Sequence, residues 1–254
     1  MSTQRLRSIA ILGSLLILAA IPVTAEASHS WNGYHWARTS NPFTVKVIDS
    51  MTSNWDDNLG VAISDWGASS VLNVTKEAGE DSTRTRKRCR AVTGKVRVCN
   101  ATYGNNGWLG IAQIWVSGKH IVQGVAKMND TYLATSAYNE TARQHVICQE
   151  IGHEWGLDHQ DESGADLNTC MDYSDALDNP HPNRHDYDQL ESIYAHLDST
   201  STVAPLTAGF ANADVRAQSN WGRKVHEAAD GRSAVFVRHF GGGRHVYTHV
   251  IWAQ

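Results

Sequence analysis

The sequence predicts an α+β fold. Period-two apolar alternation comes early in the chain, around residues 43–48, and again at 111–116 and 121–126. Apolar residues then recur at helical spacing in two later segments, about 140–155 and 186–197. Strands first and helices later give α+β rather than regularly alternating βαβ units. The chain has 254 residues, enough for one domain with a modest appendage and a core of its own.

Phe43-Thr44-Val45-Lys46-Val47-Ile48 opens the fold as a half-buried strand. Trp55, Leu59, Ile63 and Trp66 follow at spacings of three and four, the stripe of an amphipathic helix that Ser53 would cap. Val71–Val74 reads as a short strand, and 76–98 as a charged hairpin. Ser117-Gly118 is a turn between the strands Ile111–Val116 and Ile121–Ala126. The helix from about Glu140 to Trp155 stops at Gly156, where a loop begins. Leu190, Ile193, Tyr194 and Leu197 share one face of the last helix. Beyond Asp198 the composition turns to Ser, Thr and Ala. Val235–Val237 and Val246–Trp252 then look like two strands around a triple glycine.

Arg5 and Arg7 precede an apolar run from Ile9 to Val23, and small-x-Ala patterns follow at Val23–Ala25 and Ala25–Ala27. That order describes a secretory signal peptide; about 20 apolar residues would be needed to span a membrane. The expected division is a signal peptide at 1–27, a main domain at 28–197 and a β-rich extension at 198–254. Removing 1–27 takes away two Arg and one Glu, leaving 20 basic and 25 acidic residues. That acidic balance argues against nucleic acid as a partner. No later stretch is apolar enough to enter a membrane, so a secreted protein is expected. In that compartment the four cysteines, Cys89, Cys99, Cys148 and Cys170, predict two disulfides among three possible pairings. Cys89 and Cys99 flank a Thr93-Gly94 turn and could staple it, which would leave Cys148 with Cys170.

The 13 histidines matter most around residues 149–159, Gln149-Glu150-Ile151-Gly152-His153-Glu154-Trp155-Gly156-Leu157-Asp158-His159. Positions 149 and 153 lie one turn apart on the same helix face, so two ligands there can grip one metal. Glu150 is offset by about 100° and would stand beside the ion, where a general base belongs. Gly156 can turn the chain so that His159 swings back as a further ligand. Cys170-Met171-Asp172-Tyr173 follows 11 residues later.

This pattern resembles the metzincin clan of zinc metalloendopeptidases, most closely its matrixin-like members, whose pattern is H-E-x-x-H-x-x-G-x-x-H with a later methionine turn. His153 and His159 match the second and third zinc ligands, Gly156 the turn glycine, Glu150 the general base and Met171 the methionine turn. Tyr173 matches a tyrosine that in some members stabilises the oxyanion. The resemblance covers about residues 43–197. It implies a zincin-like (metzincin) catalytic domain: a mixed twisted sheet, an active-site helix, a methionine turn and a C-terminal helix. It also implies a secreted endopeptidase that hydrolyses peptide bonds through a zinc-bound water. The peptide substrate would pair with an edge strand around Gly124-Val125-Ala126.

One position departs. The first ligand site holds Gln149, and zinc sites are mainly Cys, His and Asp/Glu. Three outcomes follow. Gln149 ligates through its carbonyl oxygen with catalysis retained; two histidines and water hold a loose zinc; or the fold has lost its metal and serves as a secreted binding protein. His145 is two turns from His153, too far to share an ion. Asp158, Asp161 and Glu162 offer oxygens that suit calcium and read also as a polar loop. Arg84, Arg86, Lys87, Arg88, Arg90, Lys95 and Arg97 crowd one segment, read as a solvated face.

Overall fold

A computed structural model describes residues 29–161, 164–172, 177–202 and 209–254. The expected signal segment lies outside these residues, as do Tyr173 and Glu162. The strands are β1 (His35–Trp36), β2 (Phe43–Ser50), β3 (Leu72–Ala78), β4 (Lys95–Ala101), β5 (Trp108–Ser117), β6 (His120–Asn129), β7 (Arg223–Glu227), β8 (Ser233–Gly241) and β9 (Arg244–Trp252). The helices are α1 (Asp56–Trp66), α2 (Thr83–Arg88), α3 (Asp130–Leu133), α4 (Glu140–His153) and α5 (Arg184–Ile193).

All nine strands join one mixed sheet in the order β3-β2-β4-β6-β5-β9-β8-β7, with β1 paired to the start of β6. The pairs on the β3 side of β6 are parallel, and those from β6 through β5 to β7 are antiparallel. The two C-terminal strands expected from the sequence, β8 and β9, therefore continue the main sheet. In β5 and β6 nearly every residue is buried, because both sheet faces are covered. One face packs on α1 and α4, through Trp66, Val146, Ile147 and Ile151. The other packs under Phe210, Val215 and Trp221.

Three expectations are corrected. Residues 76–98 form no hairpin: β4 runs parallel to β2, and α2 lies between β3 and β4. A parallel neighbour needs a crossover, which a tight turn cannot supply. Ser53 does not cap α1; it begins a short 3-10 turn, and no side chain caps that turn or the helix. The stretch Gly124-Val125-Ala126 is no edge. β6 is paired on one side with β4 (Val96↔Gly124) and on the other with β5 (Ala112↔Ala126), so its backbone is not open to a peptide.

The disulfides are Cys89–Cys99 and Cys148–Cys170. The first ties the left-handed end of α2 to β4 rather than closing a hairpin. The second ties α4 to the segment carrying Met171.

Where α1 meets α4, Trp66 is fully buried and its indole N–H donates to the Cys148 carbonyl at 3.1 Å. Gly152 makes room for it, since a Cβ there would lie 2.6 Å from the indole and 2.5 Å from Met171 Sδ. Trp66→Ala is expected to cost about 3–5 kcal/mol through the cavity it leaves. Trp66→Phe, which keeps a ring and loses the donor, should cost about 1 kcal/mol. Urea midpoints with both disulfides intact check this order; equal losses would refute it.

Candidate metal centre

α4 is positioned at its start by Asn139, whose side chain accepts from the Ala142 N–H, answering one of the unpaired donors of a helix N-terminus. It ends at His153, and Gly156 makes the turn with φ +88°. A Cβ at Gly156 would strike the Tyr34 carbonyl oxygen, so this turn requires glycine both for its φ and for its neighbour. The N-terminal segment grips the turn: Trp31 N–H donates to the Gly156 carbonyl at 3.0 Å, and Asp158 N–H to the His29 carbonyl at 2.8 Å. His159 is thereby returned toward α4.

His153 and His159 meet there, as the spacing predicts, and a third histidine joins them. It is His249, on β9. The ring nitrogens of His153, His159 and His249 lie within 4.8 Å of one another, and all three residues are buried. Ring centroids are 4.1 Å apart for His153–His249 and 4.8 Å for each of the other pairs. Trp31 stacks on His153 at 4.7 Å and walls one side.

The hydrogen bonds around the rings fix which nitrogen faces inward. His153 Nδ1 lies 2.9 Å from the Leu157 carbonyl, which can only accept, so Nδ1 carries the proton. His249 Nδ1 lies 3.2 Å from Glu150 Oε2. In both rings the buried Nε2 has no hydrogen-bond partner among the described residues. An orphaned imidazole nitrogen is costly unless something binds it. Burial keeps all three rings unprotonated: His153 is held well below the usual range, His159 is pushed down to about 4 and His249 to about 3. Neutral imidazole is the form that binds a metal. Three histidine nitrogens, with the remaining position open, fit zinc.

The amide nitrogen of Gln149, the residue expected as a ligand, is engaged elsewhere. Its Nε2 donates to the carbonyls of Cys170 (2.7 Å) and Asp172 (3.3 Å). These partners only accept, so the amide group must face them. Gln149 is a clamp between α4 and the Met171 turn, reinforced by Cys148–Cys170. Met171 is fully buried beneath Gly152. Glu150 is fully buried beside β5, where Gly110 lacks the Cβ that would collide with its carboxylate. Burial pushes its pKa well up. Of the expected calcium carboxylates, Asp158 accepts from its neighbour His159 N–H at 2.9 Å. Asp158 and Asp161 fall in neither of the two groups of potential metal ligands among the described residues.

His249 was missed for a definite reason. A signal existed: Tyr247, His249 and Ile251 alternate with Val246, Thr248 and Val250, so one strand face carries a histidine among apolar residues. Nothing local says that this face meets α4, about 100 residues earlier. That follows from the pairing of Ala112 with His249 across β5 and β9.

No family model matches the chain, and no curated protein matches it. Among solved structures, the archaemetzincin AmzA of Archaeoglobus fulgidus, complexed with malonate, is similar at 15% identity and a TM-score of 0.33. The match covers 58% of this chain and 99% of that one. At this distance the likeness decides nothing about chemistry, which rests on the residues above.

His249→Ala should weaken zinc binding by more than the ~10–100-fold typical of changes to groups that only orient a ligand. Gln149→Ala should leave zinc affinity nearly unchanged while lowering stability by about 1–3 kcal/mol, because two buried carbonyls lose their donor. Titration against a chromophoric chelator, with urea denaturation alongside, separates the two. The reverse pattern would restore Gln149 as the ligand.

Proposed function

We propose that this protein is a secreted zinc-dependent endopeptidase of metzincin type whose third histidine ligand is His249. The observation that carries the reading is the trio of buried, unprotonated imidazoles, two with orphaned Nε2 atoms, that β9 and the motif's helix and turn bring together. In this reading His249 supplies the nitrogen that Gln149 lacks.

Zinc at these nitrogens supplies a Lewis acid that polarises a scissile carbonyl and acidifies water. Leu157 holds His153 in the tautomer that leaves Nε2 for the ion. Glu150 does the same for His249. Glu150 is also the carboxylate assigned to take a proton from the attacking water and deliver it to the leaving amine. Tyr173, two residues beyond Met171, keeps the oxyanion role that the resemblance implies. A pocket beside His159, lined by Leu109, Leu177, Ile251 and Trp252, offers an apolar wall to a substrate side chain. Two disulfides support export, and no helix among the described residues is long and apolar enough to cross a membrane.

One observation favours a second reading, a secreted module that binds metal without turnover. The edge of β5 beside α4 is filled by β9, so a peptide backbone has no open strand there to pair with.

The two readings divide on Glu150. Glu150→Gln retains an acceptor for His249 and removes the base. It should keep zinc bound and lower hydrolysis of a quenched peptide library by about 10²-fold or more. Glu150→Ala also frees the His249 ring and should loosen zinc by ~10–100-fold. Wild-type protein loaded with zinc that cleaves no member of the library would establish the second reading.

A further inference from the structure

On the far side of β1 a second set of metal-ligating side chains converges. His35 on β1 lies in direct register with His120, the first residue of β6. His196 and Asp198 follow α5 and fold back over this pair. His35 Nε2 is 3.2 Å from His196 Nε2 and 3.4 Å from Asp198 Oδ1. His120 Nε2 is 3.2 Å, and His196 Nε2 3.7 Å, from the same oxygen. The donor atoms of His35, His196 and Asp198 all lie within 4.8 Å of one another.

We propose that His35, His196 and Asp198 form a second zinc site, structural rather than catalytic, with His120 packed against the same carboxylate oxygen. Zn–N and Zn–O bonds of about 2.0–2.2 Å place the ligand atoms of a tetrahedron ~3.3–3.5 Å apart. The three separations within the trio, 3.2, 3.4 and 3.7 Å, straddle that edge.

Tautomers point the same way. His35 Nδ1 is 2.8 Å from the Gly33 carbonyl, so it carries the proton and a neutral ring leaves Nε2 with a lone pair. Nε2 is thus the nitrogen that His35 presents to Asp198 Oδ1 and to His196. Asp198 is oriented for this role by Arg38, whose Nη1 (2.9 Å) and backbone N–H (3.2 Å) hold the other oxygen, Oδ2. Arg38 is itself buried and lies over the Tyr194 ring at 4.7 Å. Carboxylates and histidines that ligate metals are commonly held by such partners. Three protein donors, two imidazoles and a carboxylate, suit zinc, and they form a group distinct from the histidines of the first centre. His196 is half exposed, which leaves the ion a route in.

The place of the site gives it a purpose. It joins β1 and the start of β6 to the segment leaving α5. Backbone bonds run alongside, from Asp198 N–H to the Arg38 carbonyl and from Thr202 N–H to the Ala37 carbonyl, both 2.8 Å. This segment is where the chain departs toward the strands that bring His249 to the first centre. An ion here would fix that departure point.

The test is zinc per chain in the full, folded protein, dialysed after loading with zinc alone and checked by circular dichroism. Wild type should hold about two ions, and His249→Ala and His196→Ala about one each. Asp198→Asn serves as an independent variant. In the His249→Ala background, zinc should still raise the melting temperature, and adding His196→Ala should remove that rise. A folded His249→Ala protein that holds no zinc overturns this proposal and leaves the first centre standing. Wild type with one ion, kept in His249→Ala and lost in His196→Ala, supports this proposal and removes the first.

Discussion

The candidate metal centre depends on one strand pairing, β5 with β9. It sets Ala112 opposite His249 and delivers a C-terminal imidazole to a helix end about 100 residues earlier in the chain. A register slip of one residue would turn His249 to the other face, toward Trp221, and put Val250 or Thr248 at the histidines. The register is held because both faces of β9 are committed. Tyr247 and Ile251 pack with the α4 side, and Val246 and Val250 pack on the opposite cluster. The geometry of the centre is thus set by apolar burial on either side of the strand that carries His249.

Glycines in the central strands admit the buried carboxylates of α4. Gly110 on β5 faces Glu150, and Gly124 on β6 faces Glu154, whose carboxylate occupies the space a Cβ would need. Both glutamates are fully buried, and burial raises both pKa values well above the ordinary range. A carboxylate against a sheet is costly unless donors meet it. For Glu150 the donor is His249, so the third histidine and the buried acid answer each other's needs.

The two candidate metal centres share a construction. Each unites the N-terminal segment, the central strands or α4, and a part of the chain beyond α5. Trp31 and His35 come from the first described residues, yet one stacks on a histidine of the first centre and the other stands at the heart of the second. Both are drawn into places where polar side chains need fixed partners. Gln149 fits the same logic. With His249 in place, position 149 is free to clamp the Met171 turn, and an amide serves two carbonyls where an imidazole could serve at most one with each ring nitrogen.

The sequence alone determined the mixed α and β character, most of the strands and helices, the meeting of His153 and His159, and the need for glycine at 156. Each of these rests on local periodicity or on short-range spacing, which the backbone obeys wherever it is placed. The pairing that the Thr93-Gly94 turn suggested, Cys89 with Cys99 and so Cys148 with Cys170, is the one the structure has. Tertiary structure decided that residues 76–98 cross over rather than fold back, and that Gly124–Ala126 is interior. It decided that the Gln149 amide nitrogen donates to the Met171 turn, that His249 joins His153 and His159, and that His35, His196 and Asp198 converge elsewhere. The physical reason is common to them. A ligand set is a matter of distances between side chains, and those distances come from strand order and register, summed over packing contacts between residues too far apart in sequence for any local pattern to report.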